Sequence, residues 1–560
     1  MILLFLGCTP PGGYEADPEI TSLVDDWRDE VIYQVLTDRF ANGDLNNDFN
    51  VSRDPDDLAR HLGGDWQGLI DHAGYFEALG VTTLWISPVV TNVEEDAGVA
   101  GYHGYWAQDF TQPNPHFGDL AKLRELVDVM HQRDIKVVVD IVANHVGQLF
   151  YYDINRNGQP DEQVWNATDG SGEQEIVSEW DPPFDSRGIQ SFTSLGEAGE
   201  APITWVDMPE LNRMPPVPSE FADESWYNRR GRVTDWAVTE QVETGDFPGG
   251  LKDLLTENPN VQQALIEVYA DWITRTNIDG YRIDTVKHVE HETWQVFCPA
   301  IRQHAASLGK ENFFLFGEVF DGDDQLVGSY TAPGELDSLA YFSQKYQVFD
   351  EVIRDGGATS KIASLWASRS SNWGTVEHEG GIGLAPTDVP VNFIDNHDVP
   401  RLLSGTDEDG FFLSLLLLFT EPGVPVLYYG TEQGLDGAND PANREPIWPT
   451  GYDTESPSFV AVAELIALRQ SRPALQRGDV TVLASGDAAG LFAFERAVDD
   501  DRVLVVLNTA DSAMEGDVPT AFSPGTVVSV LWPYVGTFTV ASDGTLPVAL
   551  DARAGLVVGS

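Results

Sequence analysis

Three stretches far apart in the chain each place one carboxylate at or just after a strand-like apolar run. They are Asp284 in Gly280–His288 (GYRIDTVKH), Glu318 in Phe316–Phe320 (FGEVF) and Asp398 in Phe393–Asp398 (FIDNHD). A fourth stretch, Asp140–Val146 (DIVANHV), precedes them with the same grammar. Acids at the ends of successive parallel strands converge at one mouth of a barrel. Two carboxyl groups across one bond are the equipment for hydrolysing a glycoside, and with retention they stand about 5–5.5 Å apart. Asp284 suits the nucleophile, because Arg282 lies two residues before it and shares its strand face. A guanidinium there favours the ionised carboxylate. Glu318 suits the general acid/base, with a pKa raised by the neighbouring anion and by burial.

The elements that must hold these groups follow from periodicity. Apolar β-branched runs alternate with amphipathic helical runs, the pattern of a parallel sheet built from βα units. Val31–Thr37, Thr82–Ser87 and Lys136–Val142 read as strands one to three. Asp279–Asp284, Phe313–Glu318, Val391–Asp395 and Pro425–Gly430 read as strands four, five, seven and eight, with strand six near Leu336–Phe342. Helices are expected at Val261–Thr276 and Ser458–Arg469, and Phe411–Phe419 reads as a buried barrel helix. From about residue 147 to 235 the rhythm breaks into a stretch rich in Gly, Pro, Asp, Ser and Trp. It is too long for an ordinary loop and is expected to be a small inserted domain. After residue 474, short alternating runs (Val480–Ser485, Leu491–Arg496, Arg502–Asn508, Thr526–Leu531) indicate an antiparallel β domain over 475–560. The expected fold is therefore α/β. A (β/α)8 TIM barrel occupies 19–146 and 236–474, an inserted domain B follows strand three over 147–235, and a C-terminal β-sandwich ends the chain.

The four stretches stand in the order of the four signature regions of glycoside hydrolase family 13, the α-amylase family, which the chain resembles from about Trp27 to its C-terminus. Gly101–Trp106 (GYHGYW) and Asn439–Trp448 (NDPANREPIW) match further segments, in wording closest to fungal-type α-amylases. The resemblance implies Asp284 as nucleophile, Glu318 as acid/base and Asp398 as the residue that supports the transition state through the sugar hydroxyls. It also implies that His103, His145 and His397 bond the sugar at the cleavage subsite, with Tyr105 as a stacking platform and Arg282 beside the nucleophile. Lys287 and His288 fall on the leaving-group side, and Asp440 and Arg444 hold the non-reducing side. Phe320 occupies a position where glycosyltransferring members also carry Phe.

Calcium is the implied cofactor, as one to three ions. Asn144 and the carbonyl of His288 match the family's site between barrel and domain B, with Glu210 of the segment MPELN in the place of its aspartate. Asn42, Asp44, Asn47, Asp48, the carbonyl of Gly63 and Asp65 resemble a second calcium loop, for which an Asn/Gly-rich turn without metal is the alternative. Asp153, Asn155, Asn157 and Asp161 echo the alternate oxygens of an EF-hand loop, although Val164 stands where its Glu would be.

Acidic residues number 90 against 32 basic ones, a formal net charge of −58. Such a surface repels nucleic acids and anionic membranes but does not penalise a neutral α-glucan. The excess fits either a salty habitat or an exported protein with acidic loops and calcium sites. The two cysteines, Cys8 and Cys298, form no disulfide framework. Cys298 follows an apolar helical stretch and reads as a buried hydrophobe. Residues 1–8 (MILLFLGC) resemble the end of a lipoprotein signal, with 9–18 as a tether, so membrane attachment is expected only through a lipid on Cys8. The protein is expected to be a monomer and exported: secreted, periplasmic or lipid-anchored.

The function expected is that of a retaining, endo-acting α-amylase on internal α-1,4 bonds of starch-like glucans. A cyclodextrin-active or transglycosylating relative is the alternative, and a non-catalytic glucan-binding protein a further one.

Overall fold

Alternation within each strand decides what faces the interior. Val137, Val139 and Ile141 pack outward against helices, whereas Val138 points into a separate inner cluster with Ile32, Trp85, Phe314, Phe316, Val391, Phe393 and Val426. In a computed structural model of the protein the described residues are 14–96, 98–152, 163–166, 174–177, 202–205, 216–233, 235–247 and 251–560. Cys8, Asp153, Asn155, Asn157, Asp161 and Glu210 lie outside them.

Eight parallel strands form one sheet: β1 (Ile32–Val35), β2 (Thr83–Ile86), β3 (Lys136–Val142), β4 (Gly280–Asp284), β5 (Phe314–Gly317), β6 (Ser338–Leu339), β7 (Val391–Phe393) and β8 (Val424–Tyr428). β8 returns to β1 with Val426 opposite Ile32, and a bridge from Ala340 to Val391 joins β6 to β7, so the sheet closes into a barrel. β6 is shorter than the expected run, because a helical segment begins at Phe342 and takes the chain away from the sheet. Helices alternate with the strands: α1 (Ala73–Leu79), α2 (Leu120–His131), α3 (Pro259–Thr276), α4 (His291–Ser307), α5 (Asp324–Ser329), α6 (Ser360–Asn372), α7 (Glu408–Thr420) and α8 (Pro457–Ser471). Local signals set their ends. Asn258 caps α3 ahead of Pro259, and Asn277 stops it in the left-handed conformation. The apolar run Phe411–Phe419 lies in α7, which Asp407 caps and which packs buried on nearly every side. Cys298 is buried within α4.

The long connection between β3 and β4 carries short antiparallel pairs, Tyr151–Tyr152 with Ile203–Thr204 and Gln163–Asn166 with Gln174–Val177. His145–Val146 pairs with Lys252–Asp253, past residue 235, and ties the connection's ends to the barrel mouth. Beyond α8 follow β9 (Asp479–Ala484), β10 (Leu491–Val498), β11 (Asp501–Asn508), β12 (Met514–Pro519), β13 (Val527–Trp532), β14 (Thr537–Thr539), β15 (Thr545–Leu550) and β16 (Gly555–Gly559). They make a six-stranded antiparallel sheet, β9-β10-β11-β16-β13-β14, and the pair β12-β15, with Leu504, Val506, Val518, Leu546 and Val558 between them. Trp366 of α6 meets Phe492 and Phe494 edge-on at 5.6 and 5.2 Å and seats this unit on the barrel. Among the described residues no helix is long and apolar enough to cross a membrane.

Candidate active site

Arg282 stands in direct register with Asp140 of β3, and Asp284 follows two residues on, so all three side chains enter the barrel at one end. Arg282 Nη1 donates to Asp140 Oδ1 and Oδ2 at 3.0 Å and to Asp284 Oδ1 at 2.8 Å. Its Nη2 lies 2.9 Å from Glu318 Oε1, an ion-pair contact without the alignment of a hydrogen bond. One buried guanidinium thus holds a carboxylate from each of β3, β4 and the end of β5. Trp85 Nε1 and the Tyr105 hydroxyl both donate to Asp140 Oδ2, at 3.1 and 2.9 Å, and fix the base of this fork. Thr285, directly after Asp284, has φ 50°, a left-handed conformation rare for a β-branched residue. That turn aims its N–H at Glu318 Oε2, 3.2 Å away.

Burial raises the pKa of both Asp284 and Glu318. Arg282 opposes the rise at each, while each gains from other acids: Asp140 and Asp398 around Asp284, and Asp284 and Asp398 around Glu318. For Asp284 this reverses the sign expected from the arginine alone, because desolvation outweighs it. Asp284 receives the aligned guanidinium bond and Glu318 does not, so a proton shared by the pair resides on Glu318. Asp398 behaves oppositely. Burial pushes its pKa up, but His397, Arg444 and Arg282 outweigh burial and leave it lowered.

Asp398 lies in the turn after β7. Arg444 Nη2 donates to its Oδ1 at 3.1 Å, and His397 Nε2 sits 3.1 Å from its Oδ2. Gln34 of β1 donates from Nε2 to His397 Nδ1 at 2.8 Å, which leaves the ring proton on Nε2, facing Asp398. Arg444 also pairs with Asp440 at 2.9 Å and donates to the His397 carbonyl at 3.0 Å. The Tyr105 ring lies parallel to His397, centroids 5.2 Å apart. His103 accepts the Tyr105 N–H on Nδ1 at 3.1 Å. Burial first, then nearby cations and other histidines, lowers the pKa of His103, and burial despite Asp398 lowers that of His397 to about 3. Both rings are neutral donor–acceptors at working pH.

These groups line a cleft of about 750 Å³, in the upper part of the range for ligand pockets (about 300–1,000 Å³). Its wall includes His103, Tyr105, His145, Asp284, Lys287, His288, Glu318, Phe320, His397, Asp398, Asp440 and Arg444, twelve residues singled out in the sequence, and Arg282 lies beneath. His145 differs from expectation in its bonding: Nδ1 meets the Asn144 amide at 3.2 Å and Nε2 the Tyr105 carbonyl at 3.2 Å. It orders the stacking residue from behind. Lys287 Nζ donates to the Phe320 carbonyl at 2.6 Å, and His288 Nδ1 to the Val242 carbonyl at 2.9 Å. Sequence reading missed Asp140 as a member of the charged fork, Gln34, and the aromatic pair Trp236 and Phe247 in the cleft wall. For Asp140 the signal was present as its strand register; for Trp236 an aromatic in a polar segment gave none.

Two of the expected metal loops fall among described residues. The Leu254 N–H bonds the Asn144 carbonyl at 2.9 Å, and Asp253 pairs with His145, so Asp253, from Leu251–Leu255 (LKDLL), stands beside Asn144 among the described residues. The Asn228 amide donates to the Asp253 carboxylate at 2.7 Å, and burial, with Asp246 and Glu290 nearby, drives its pKa well above the ordinary value. In the second loop Asn42 donates to Asp48 Oδ1 at 2.8 Å, and a Cβ on Gly63 would meet both side chains. Asn47 Oδ1 and Asp48 Oδ2 are buried there without a hydrogen-bond partner, which suits a hard cation. Asp65 also orders the loop. Its carboxylate takes the N–H groups of Gly43, Asp44 and Gly68 and caps the helix Trp66–Asp71. Asp44 likewise turns its Oδ1 to the backbone and side chain of Asn46.

Residues 34–465 match the family model described as "Alpha amylase, catalytic domain". The chain is 31% identical over 552 residues to the α-amylase of Streptomyces lividans, covering 90% of this chain and 57% of that protein. It is 31% identical over 540 residues to the cyclomaltodextrin glucanotransferase of Klebsiella oxytoca, covering 89% of this chain and 72% of that one. Among solved structures, an Anoxybacillus α-amylase superposes with a TM-score of 0.73 at 27% identity, covering 96% of this chain and 98% of that chain.

Proposed function

The chain belongs to the α-amylase family of glycoside hydrolases, and from that premise we propose a retaining, endo-acting α-amylase that cuts internal α-1,4 bonds of starch-like glucans. The observation that carries it is the Arg282 fork, which holds Asp284 and Glu318 on two nitrogens of one guanidinium. That arrangement supports the short carboxyl separation of retaining enzymes (about 5–5.5 Å) over the wider one of inverting enzymes (about 6.5–9.5 Å).

The chemistry follows from the protonation states. Ionised Asp284 attacks the anomeric carbon while Glu318 gives its proton to the glycosidic oxygen, and the leaving glucan departs from the side of Lys287, His288 and Phe320. Glu318, now a carboxylate, takes a proton from water. The resulting nucleophile displaces Asp284 and restores both groups with retained configuration. Asp398, kept ionised by His397 and Arg444, bonds sugar hydroxyls of the distorted ring. The neutral His103 and His397 bond others, and Tyr105 stacks on the ring. Asn144, Asp253 and the His288 carbonyl, and separately Asn42, Asn47, Asp48 and the Gly63 carbonyl, would hold calcium ions, whose charge would pin the loops that wall the cleft. We propose further that the protein is an exported monomer, secreted, periplasmic or anchored through a lipid on Cys8.

A transglycosylating or cyclodextrin-active enzyme is the second reading. Phe320, 39% exposed beside the acid/base, offers an acceptor sugar a platform, and the Klebsiella relative is a glucanotransferase. A product time course on soluble starch and maltoheptaose, with and without a calcium chelator, separates the readings. Mixed short maltooligosaccharides support the endo-amylase, cyclic or longer products the transferase. Equal sugar release by wild type and Asp284→Asn would end both.

A further inference from the structure

Away from the catalytic cleft, three segments bring together a second group of polar side chains that the glycosidase chemistry does not use. His61 follows the loop that carries Asp48, Glu94 precedes the hairpin Glu95–Ala100, and His116 lies in the turn before α2. A ring nitrogen of each histidine and a carboxylate oxygen of Glu94 lie within 4.8 Å of one another. All three residues are buried, with His61 and His116 only 2% and 4% exposed.

The surroundings have the grammar of a transition-metal site. Nε2 of His116 stands 3.2 Å from Glu94 Oε1. The Asn50 amide donates to the same carboxylate at 2.8 Å, and Nδ1 of His61 faces Asp38 Oδ1 at 3.5 Å. Outer partners of this kind, an amide on the carboxylate and a carboxylate behind the imidazole, orient metal ligands. Ion pairs account for one contact of each histidine, His116 with Glu94 and His61 with Asp38, but not for the approach of both rings to one carboxylate. His61 and His116 instead lie face to face, centroids 3.6 Å and planes 13° apart, and Nδ1 of each is buried without a hydrogen bond. Burying two imidazoles that way costs free energy unless something else is gained.

We propose that His61, Glu94 and His116 form a binding site for a zinc-class divalent transition metal. Two imidazoles and one carboxylate are a zinc ligand set, whereas calcium and magnesium select oxygen donors alone. Parallel rings run their lone pairs side by side, so binding splays them. His116 lies between His61 and Phe49, centroids 3.6 and 3.8 Å away, so its ring turns only as Phe49, 36% exposed at the surface, yields. The ion cross-links the three segments. It also braces the cleft, because the Gly101 N–H bonds the Glu94 carbonyl at 3.0 Å and Tyr102 and His103 follow directly.

The test uses the full-length protein, stripped with a chelator, returned to saturating calcium and titrated with Zn2+ and with Co2+. The expected result is saturable binding of about one equivalent, a tetrahedral Co2+ absorption spectrum and a raised Tm. All three should be lost in His116→Asn and Glu94→Gln and weakened about 10- to 100-fold in Asn50→Ala. Neither variant removes a calcium-loop ligand, so adventitious zinc at those ligands would persist in both. Folded wild type that binds no Zn2+ or Co2+, or identical binding by His116→Asn and Glu94→Gln, overturns the proposal.

Discussion

Replacing Gln34 by leucine tests whether the histidine tautomer carries part of the catalytic effect. Gln34 lies at the inner face of β1, 2% exposed, and its one hydrogen bond across the barrel runs to His397 Nδ1 at 2.8 Å. Its Oε1 is buried without a partner. Leucine therefore removes one donor and also an unsatisfied oxygen, so the net stability change is small. What remains is a buried Nδ1 with nothing to accept from, and a ring no longer obliged to keep its proton on Nε2 towards Asp398, 3.1 Å away. Stranding a buried acceptor costs about 1–3 kcal/mol. If the ring recovers that energy by turning or shifting its proton, Asp398 and the sugar lose an oriented donor in the transition state, and kcat/KM falls about 5- to 150-fold. The assay is kcat/KM on maltoheptaose at several pH values, beside a thermal melt. A Tm within a few degrees and a loss of that size are expected. Wild-type kcat/KM in a folded Gln34→Leu variant would refute the role given to this bond.

Glu318→Gln lowers kcat about 10²- to 10⁴-fold on starch. Its stability should show the opposite trend at high pH. The folded pKa, pushed up to about 8 by burial, exceeds the ordinary 4.5, so the stability this acid contributes is full below 4.5 and lost as pH rises through 8. The glutamine variant thus melts above wild type at about pH 9 and not at about pH 4, measured by scanning calorimetry. Asp48→Ala should abolish the part of the Tm that responds to calcium at the 42–63 loop, about 2.7 kcal/mol at a hundredfold excess over Kd. Equal calcium responses in calorimetry would remove Asp48 from the ligands. Trp236, 49% exposed and edge-on to His288 at 5.7 Å, should stack a sugar on the leaving-group side. Trp236→Ala lowers kcat/KM about 2- to 12-fold on maltoheptaose, and no loss would make it a bystander.

What the sequence determined alone is what period and order encode. Arg282 and Asp284 are two apart on one strand, Glu318 directly follows another, Asp398 lies in the turn after a third, and alternating runs dictate parallel strands, so the barrel and its acids were legible locally. The tertiary structure decided everything that depends on which strand lies opposite which. Register set Asp140 against Arg282, and closure of β8 onto β1 brought Gln34 within the same barrel mouth as His397. The return of residues 252–253 beside β3's exit put Asp253 next to Asn144. Desolvation, which no spacing reveals, raised the pKa of Asp284 against its arginine. His61, Glu94 and His116 are separated along the chain by 33 and 22 residues and share no motif. Only packing of three loops makes them neighbours, because side-chain proximity between distant segments is a property of the folded surface and not of any local pattern.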